Sequence, residues 1–198
     1  MKVTDIKAQQ RSNRVSVYLD WRYAFSLSLW QLAQEKLRIG DELSKERLSQ
    51  LKNDSDFGKL YDRTLNWLMI RPRSAWEIEQ YLARKTDNDE LKQLIKQRIE
   101  EKGFINDQDF AERWVRSRRL LKPMSTVRLR QELLKKRVPR EIIDETLVTD
   151  ETSDLETVKQ LIIKRRHRYK DQQKLMAYLA RQGYPYGVIK DALELLED

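Results

Sequence analysis

Ser125-Thr-Val-Arg-Leu-Arg-Gln-Glu-Leu133 decides the fold, because the chain writes this segment three times. Ser74-Ala-Trp-Glu-Ile-Glu-Gln-Tyr-Leu82 precedes it and Asp171-Gln-Gln-Lys-Leu-Met-Ala-Tyr-Leu179 follows it, each opening on a side chain able to cap a helix, with apolar residues four and eight positions later. Those offsets set both apolar residues on one face of a helix, and Ser74, Ser125 or Asp171 accepts from the orphan amides at its start. Ser74 and Glu77 have the spacing of a capping box.

The second and third copies continue in register. Leu133-x5-Pro139-x2-Ile142-Ile143-x3-Leu147 superposes on Leu179-x5-Pro185-x2-Val188-Ile189-x3-Leu193 without a gap. Each proline falls at the start of a third helix, where a missing N–H costs little. The first copy reaches its counterpart, Leu94-Ile95-x3-Ile99, after an insertion at residues 86–89. Another amphipathic segment precedes each capped helix: 60–70, 110–121 with Phe110, Ala111, Trp114 and Val115 inward, and 155–163. Residues 57–106, 107–152 and 153–198 are therefore expected to form three tandem three-helix units. Because each unit packs chiefly on its sequence neighbour, an elongated, curved array is expected.

The first 56 residues read differently. Val15, Val17 and Leu19, then Tyr23, Phe25 and Leu27, alternate with polar or small residues and predict a hairpin turning at Asp20-Trp21. Val3, Ile6 and Ala8 supply a third strand. Short helices are expected at 29–36 and 44–52, and the module ends in the polar stretch Asn53-Asp54-Ser55-Asp56. The fold class is thus mainly α, with a small β-containing module in front.

Composition narrows the chemistry. Among 198 residues there is no cysteine, one histidine, five glycines and four prolines. Thiol nucleophiles, zinc fingers and iron–sulfur clusters are excluded, and the isolated glycines build no phosphate-cradling loop. His167 lies in Lys164-Arg-Arg-His-Arg168 with no Ser, Asp and His constellation around it, and reads as a solvated basic-face residue. No catalytic, cofactor or metal residue is expected, nor a membrane-spanning segment, and without an apolar signal-peptide core the chain reads as cytoplasmic. A monomer is expected.

Forty Lys and Arg stand against 32 Asp and Glu. Residues 113–140 hold eleven Lys and Arg with Glu132 as their only acid, and 159–174 hold seven with only Asp171. Arg113, Arg116 and Arg119, at i, i+3 spacing opposite Trp114 and Val115, are expected to form a basic stripe on the outer face of a helix. Arg128 and Lys135 on the next helix, with Arg165 and Arg166 further on, complete the candidate contact set. The plain alternative is a solvated face balanced by acids of adjacent units. Trp67 and Trp114 occupy core positions, whereas Trp21 has nothing nearby to bury it.

With its repeats aligned, the sequence resembles the RecX family of bacterial regulators of the RecA recombinase along nearly the whole chain. The resemblance rests on Arg14-Val-Ser-Val-Tyr-Leu-Asp20 with Tyr23-Ala-Phe-Ser26, Arg71-Pro-Arg-Ser74, and Gly103-Phe-Ile-Asn-Asp107 leading into Phe110-Ala111. It continues through Arg116-Ser117-Arg118, Arg128-Leu-Arg-Gln-Glu-Leu133, and Leu179-Ala-Arg-Gln-Gly183 followed by Val188-Ile189. It implies a non-enzymatic protein that lies in the groove of the RecA filament, restrains its extension, ATPase and strand exchange, and touches single-stranded DNA weakly and without sequence preference. Trp21 at the hairpin tip and Lys122-Pro123-Met124 before Ser125 depart from the family pattern. A competing reading is a stand-alone helix-turn-helix type protein on duplex DNA.

Overall fold

The computed structural model describes residues 1–10, 12–150, 153–169 and 171–196. They fall into two compact units, Met1–Arg71 with Leu82–Ile99, and Pro72–Tyr81 with Glu100–Asp198.

The first unit opens with β1 (Val3–Ala8), β2 (Arg14–Leu19) and β3 (Arg22–Ser28), an antiparallel sheet in the order β1-β2-β3. Asp20 and Trp21 both have positive φ, +46° and +65°, so the hairpin closes through a type I′ turn without the glycine that turn favours. Alternation sends Val15, Val17, Leu19, Phe25 and Leu27 to one face, where they pack on Leu43, Leu48 and Leu51. Ser28 and Gln31 form a capping box at the start of α1 (Leu29–Glu35).

Ser44 caps α2. The end expected near residue 52 is absent: α2 runs unbroken from Lys45–Leu68 and carries the chain across the expected boundary at 56 and 57. The polar stretch stays helical because the sheet and α1 supply its partners. Ser55 is buried and its Oγ accepts from Ser26 N–H at 3.3 Å. Gln31 Nε2 donates to the Asp54 carbonyl at 2.7 Å, and buried Arg14 donates to the carbonyls of Ser26 and Ser55 and pairs with Asp62 at 2.9 Å. Tertiary contacts here override weak helix propensity.

The repeated segments fold as expected. Ser74 and Glu77 make the reciprocal bonds of a capping box at the start of α3 (Ala75–Ala83), and α4 (Asp89–Glu101) buries Ile95 and Ile99. The second repeat consists of α5 (Asp107–Leu121), α6 (Thr126–Lys135) and α7 (Arg140–Val148) around Phe110, Val115, Leu129, Leu133 and Ile143. The third consists of α8 (Asp154–Arg165), a 3-10 turn Arg166–Arg168, α9 (Gln172–Arg181) and α10 (Tyr186–Glu194) around Val158, Ile162, Leu175, Leu179 and Ile189. Pro139 and Pro185 occupy the N-cap positions of α7 and α10. Residues 151 and 152, at the expected boundary between the second and third units, lie outside the described residues.

Candidate partner interface

The cations of the second unit sort by what their side chains already touch. Arg113 is exposed on α5, with Nε 2.8 Å from the Asp109 carboxylate one turn back. Arg116 is exposed on the same helix, and Lys135 at the end of α6; neither has a side-chain hydrogen bond or ion pair among the described residues. Arg166 is exposed in the 3-10 turn beside exposed His167 and Arg168. Arg165 is half-buried, its guanidinium 5.9 Å from the Tyr178 ring centroid and its Nε without a hydrogen-bond partner. Arg128 is half-buried and donates to the Gln182 side chain.

Arg119 does not lie on the outer face. Its side chain is only 6% exposed, and its guanidinium meets Asp150 at 2.8 Å, Asp154 at 3.1 Å, the Met124 carbonyl at 2.6 Å and Thr126 Oγ1 at 3.0 Å. The reason is helical geometry. At 100° per residue, each i, i+3 step falls about 60° short of a full turn, so the third member of such a row has rotated about 120° from the first. Arg113 and Arg116 face water, and Arg119 is carried around to the third repeat.

A neighbouring cluster absorbs two further cations. Arg118 Nε and Trp114 Nε1 both donate to Glu132, at 2.8 and 3.0 Å, and the Arg118 guanidinium lies 4.4 Å from the Trp114 ring centroid. Lys136 lies 5.3 Å from the same ring and pairs with Glu77 at 2.6 Å. Trp114 is therefore partly core and partly a platform for its own arginine.

Arg119 belongs to a joint that sequence reasoning missed and that occurs twice. At the start of α6, Ser125 Oγ accepts from Arg128 N–H and donates to the Gln182 carbonyl at 3.0 Å, while Thr126 N–H donates to Asp154 at 3.0 Å. At the start of α3, Ser74 Oγ accepts from Glu77 N–H and donates to the Lys136 carbonyl at 2.9 Å, while Ala75 N–H donates to Asp107 at 2.8 Å. In both, one serine caps its own helix and ties it to the end of the second helix of the next repeat. The aspartate at the start of that repeat's first helix takes the next amide. The sequence signal was an acid directly after a capping residue, Asn106-Asp107 and Ser153-Asp154. Burial, with Glu79 nearby, raises the Asp107 carboxyl above its ordinary pKa, against the Ala75 bond that lowers it. Burial and the charge of Asp154 push the Tyr184 hydroxyl up, and that hydroxyl has no hydrogen-bond partner.

No group of three or more His, Cys, Asp or Glu able to hold a metal occurs among the described residues, and no described helix is long and apolar enough to cross a membrane. The arrangement offers charged and apolar surface for contact.

Comparison with known proteins places this geometry. Residues 1–44 match the regulatory protein RecX N-terminal domain, 106–147 the second RecX three-helix domain and 152–193 the third. The regulatory protein RecX of Halalkalibacterium halodurans is 28% identical over 96% of this chain and 76% of its own length. That of Clostridium botulinum strain Eklund 17B is 28% identical over 98% of this chain and 95% of its own. Among solved structures, one crystal structure of regulatory protein RecX superposes with a TM-score of 0.71 at 28% identity, covering 96% of this chain and 98% of that one. RecX from Lactobacillus salivarius superposes with a TM-score of 0.63 at 25% identity, covering 72% and 97%.

Proposed function

Because this chain belongs to the RecX family of regulatory proteins, we propose that it binds the RecA filament on single-stranded DNA and inhibits its extension, ATPase and strand exchange. It does so as a non-enzymatic cytoplasmic monomer without a cofactor, modulating recombination and repair. The observation that carries this reading is the family match in domain order on a chain whose exposed cations, Arg113, Arg116, Lys135 and Arg166, stand on polar helix faces. Arg128 and Arg165 are half-buried and border those faces. Such cations meet either DNA phosphates or carboxylates of the filament, and binding in the groove holds adjacent subunits in place.

Free single-stranded DNA is bound weakly. Five or six phosphate contacts correspond to a slope of log K against log salt of about −4. The direct test is the ATPase of RecA on single-stranded DNA with and without the protein. Inhibition is expected. Unchanged ATPase overturns the reading, and tight RecA-independent binding to one duplex sequence would favour the helix-turn-helix alternative.

A further inference from the structure

Two corners of the chain share a feature the fold does not require. Met69-Ile70-Arg71-Pro72-Arg73-Ser74 follows α2, and Leu120-Leu121-Lys122-Pro123-Met124-Ser125 closes α5. Aligned on their capping serines, both read as an adjacent apolar pair, a cation and a proline at the same offsets. The proline and serine have local work, in turning the chain and capping the next helix. The apolar pairs have none: Met69, Ile70, Leu120 and Leu121 are 78, 75, 75 and 83% exposed.

A single exposed leucine is ordinary, but an adjacent pair placed identically in two repeats marks a surface used twice. One member of each pair also borders a groove within its own unit. Met69, with Leu65 and Tyr23, lines a cavity of about 690 Å³, and Leu120, with Val115 and Arg116, lines one of about 670 Å³. Thr146 lines the second, and its buried hydroxyl has no hydrogen-bond partner. In the third repeat the corresponding corner is Arg166-His167-Arg168, which is basic instead.

We propose that the Met69-Ile70 and Leu120-Leu121 corners are equivalent docking points on a protein, each seating its apolar pair in an apolar pocket of that protein. The partner presents that pocket repeatedly, as successive subunits of one filament do. This rests on the filament reading above. Aliphatic pairs have neither the charge that meets phosphate nor the π-face that stacks on a base, so nucleic acid is the wrong occupant. They gain from burial against protein, and the exposed cation next to the second pair, Lys122, complements an acidic rim there. Two like corners on one chain suit a partner made of like subunits, since the second docking becomes intramolecular.

The test uses the full chain with Met69→Ser/Ile70→Ser, with Leu120→Ser/Leu121→Ser, and with all four changes. Two readouts are taken: the concentration that half-inhibits RecA ATPase on single-stranded DNA, and affinity for single-stranded DNA alone. Each pair is expected to raise the half-inhibiting concentration about tenfold and the fourfold variant further. Affinity for free DNA should stay within about twofold of wild type, because no phosphate contact is removed. The single variants Ile70→Ser and Leu121→Ser carry the test if a pair variant loses helix content by circular dichroism. Folded variants that inhibit like wild type overturn the proposal, as does a parallel loss of free DNA affinity. An effect at one corner only overturns the twofold repetition. A wild-type protein that fails to inhibit overturns the filament reading itself, and this proposal with it.

Discussion

The two joints between repeats share a backbone scheme and differ in chemistry. At the start of α3 the serine, aspartate and carbonyl of the scheme are supplemented by Lys136 and Glu77, a pair at the edge of the joint with side chains 25 and 11% exposed. At the start of α6 the same three elements are supplemented by Arg119 between Asp150 and Asp154, at 6, 10 and 14%. The residues beyond the two second helices differ as well. Both α6 and α9 end in a Schellman motif: Arg137 and Val138 N–H donate back to Leu134 and Leu133, and Gly183 and Tyr184 N–H to Ala180 and Leu179. Both motifs need a left-handed residue, which is Gly183 at φ +87° in one and Arg137 at φ +57° in the other. A repeated fold therefore preserves hydrogen-bond positions while the side chains that reinforce them drift from a rim ion pair to a buried network.

The largest contrast is in the charges. Arg119→Ala removes the guanidinium held between Asp150 and Asp154, and breaking a buried pair in this way costs about 3–5 kcal/mol. Lys136→Ala removes a partly exposed pair, worth about 1 kcal/mol or less. Urea unfolding of the two variants checks this. Equal losses would show that the two joints are energetically alike.

The left-handed residues give a contrast of sign. Gly183→Ala forces a side chain into a conformation that costs about 1–2 kcal/mol, and its Cβ would sit 2.7 Å from Ser125 Oγ, across the joint. Arg137→Gly relieves a strained position and is expected to stabilise by about 1 kcal/mol, less the entropy glycine adds to the unfolded chain. Thermal unfolding midpoints should move in opposite directions. Movement in the same direction would break the equivalence of the two motifs.

The smallest effect concerns pH. A carboxyl whose pKa is raised by folding holds its proton more tightly in the folded state. Its contribution is complete below the unfolded value, near 3.8, and is lost as pH rises through the folded one. At neutral pH ionised Asp107 therefore carries a net cost of burial, which its bond from Ala75 N–H only partly offsets. Asp107→Asn keeps an oxygen for Ala75 N–H and is expected to be at least as stable as wild type at pH 7, with any gain vanishing as pH falls below about 4. Asp154→Asn, which removes a charge facing Arg119, is expected to destabilise at pH 7. Paired urea titrations at pH 3 and 7 measure both differences.

The sequence made the repeated helices legible because capping serines and apolar residues four and eight positions later are local signals. The hairpin turn at Asp20-Trp21 was legible for the same reason, as was the exposure of Trp21, now 79%. The continuity of α2 was not legible. Asn53-Asp54-Ser55-Asp56 reads locally as a break, and only Arg14, Ser26 and Gln31, distant in sequence, give its polar groups helical company. The candidate contacts divide too. Arg113, Arg116 and Lys135 were placed outward by periodicity and Arg166 by the charge run around it, whereas Arg119 was misplaced because an i, i+3 row turns about 60° at each step and its third member leaves the outer face for Asp150 and Asp154.

As proposed, the exposed cations of the second repeat meet the filament, while Arg119 holds the repeats together. The measurement is RecA ATPase on single-stranded DNA, with the triple variant Arg113→Glu, Arg116→Glu, Lys135→Glu set against Glu100→Lys as a control. Exposed charge changes cost within about 0.5 kcal/mol each, so circular dichroism should show the triple variant folded. Close interfacial charge pairs couple by about 1.5 kcal/mol or more, so even half-additive losses raise its half-inhibiting concentration more than tenfold. The control should stay near wild type. A folded triple variant that inhibits as fully as wild type would contradict the claim and leave these cations as a solvated face.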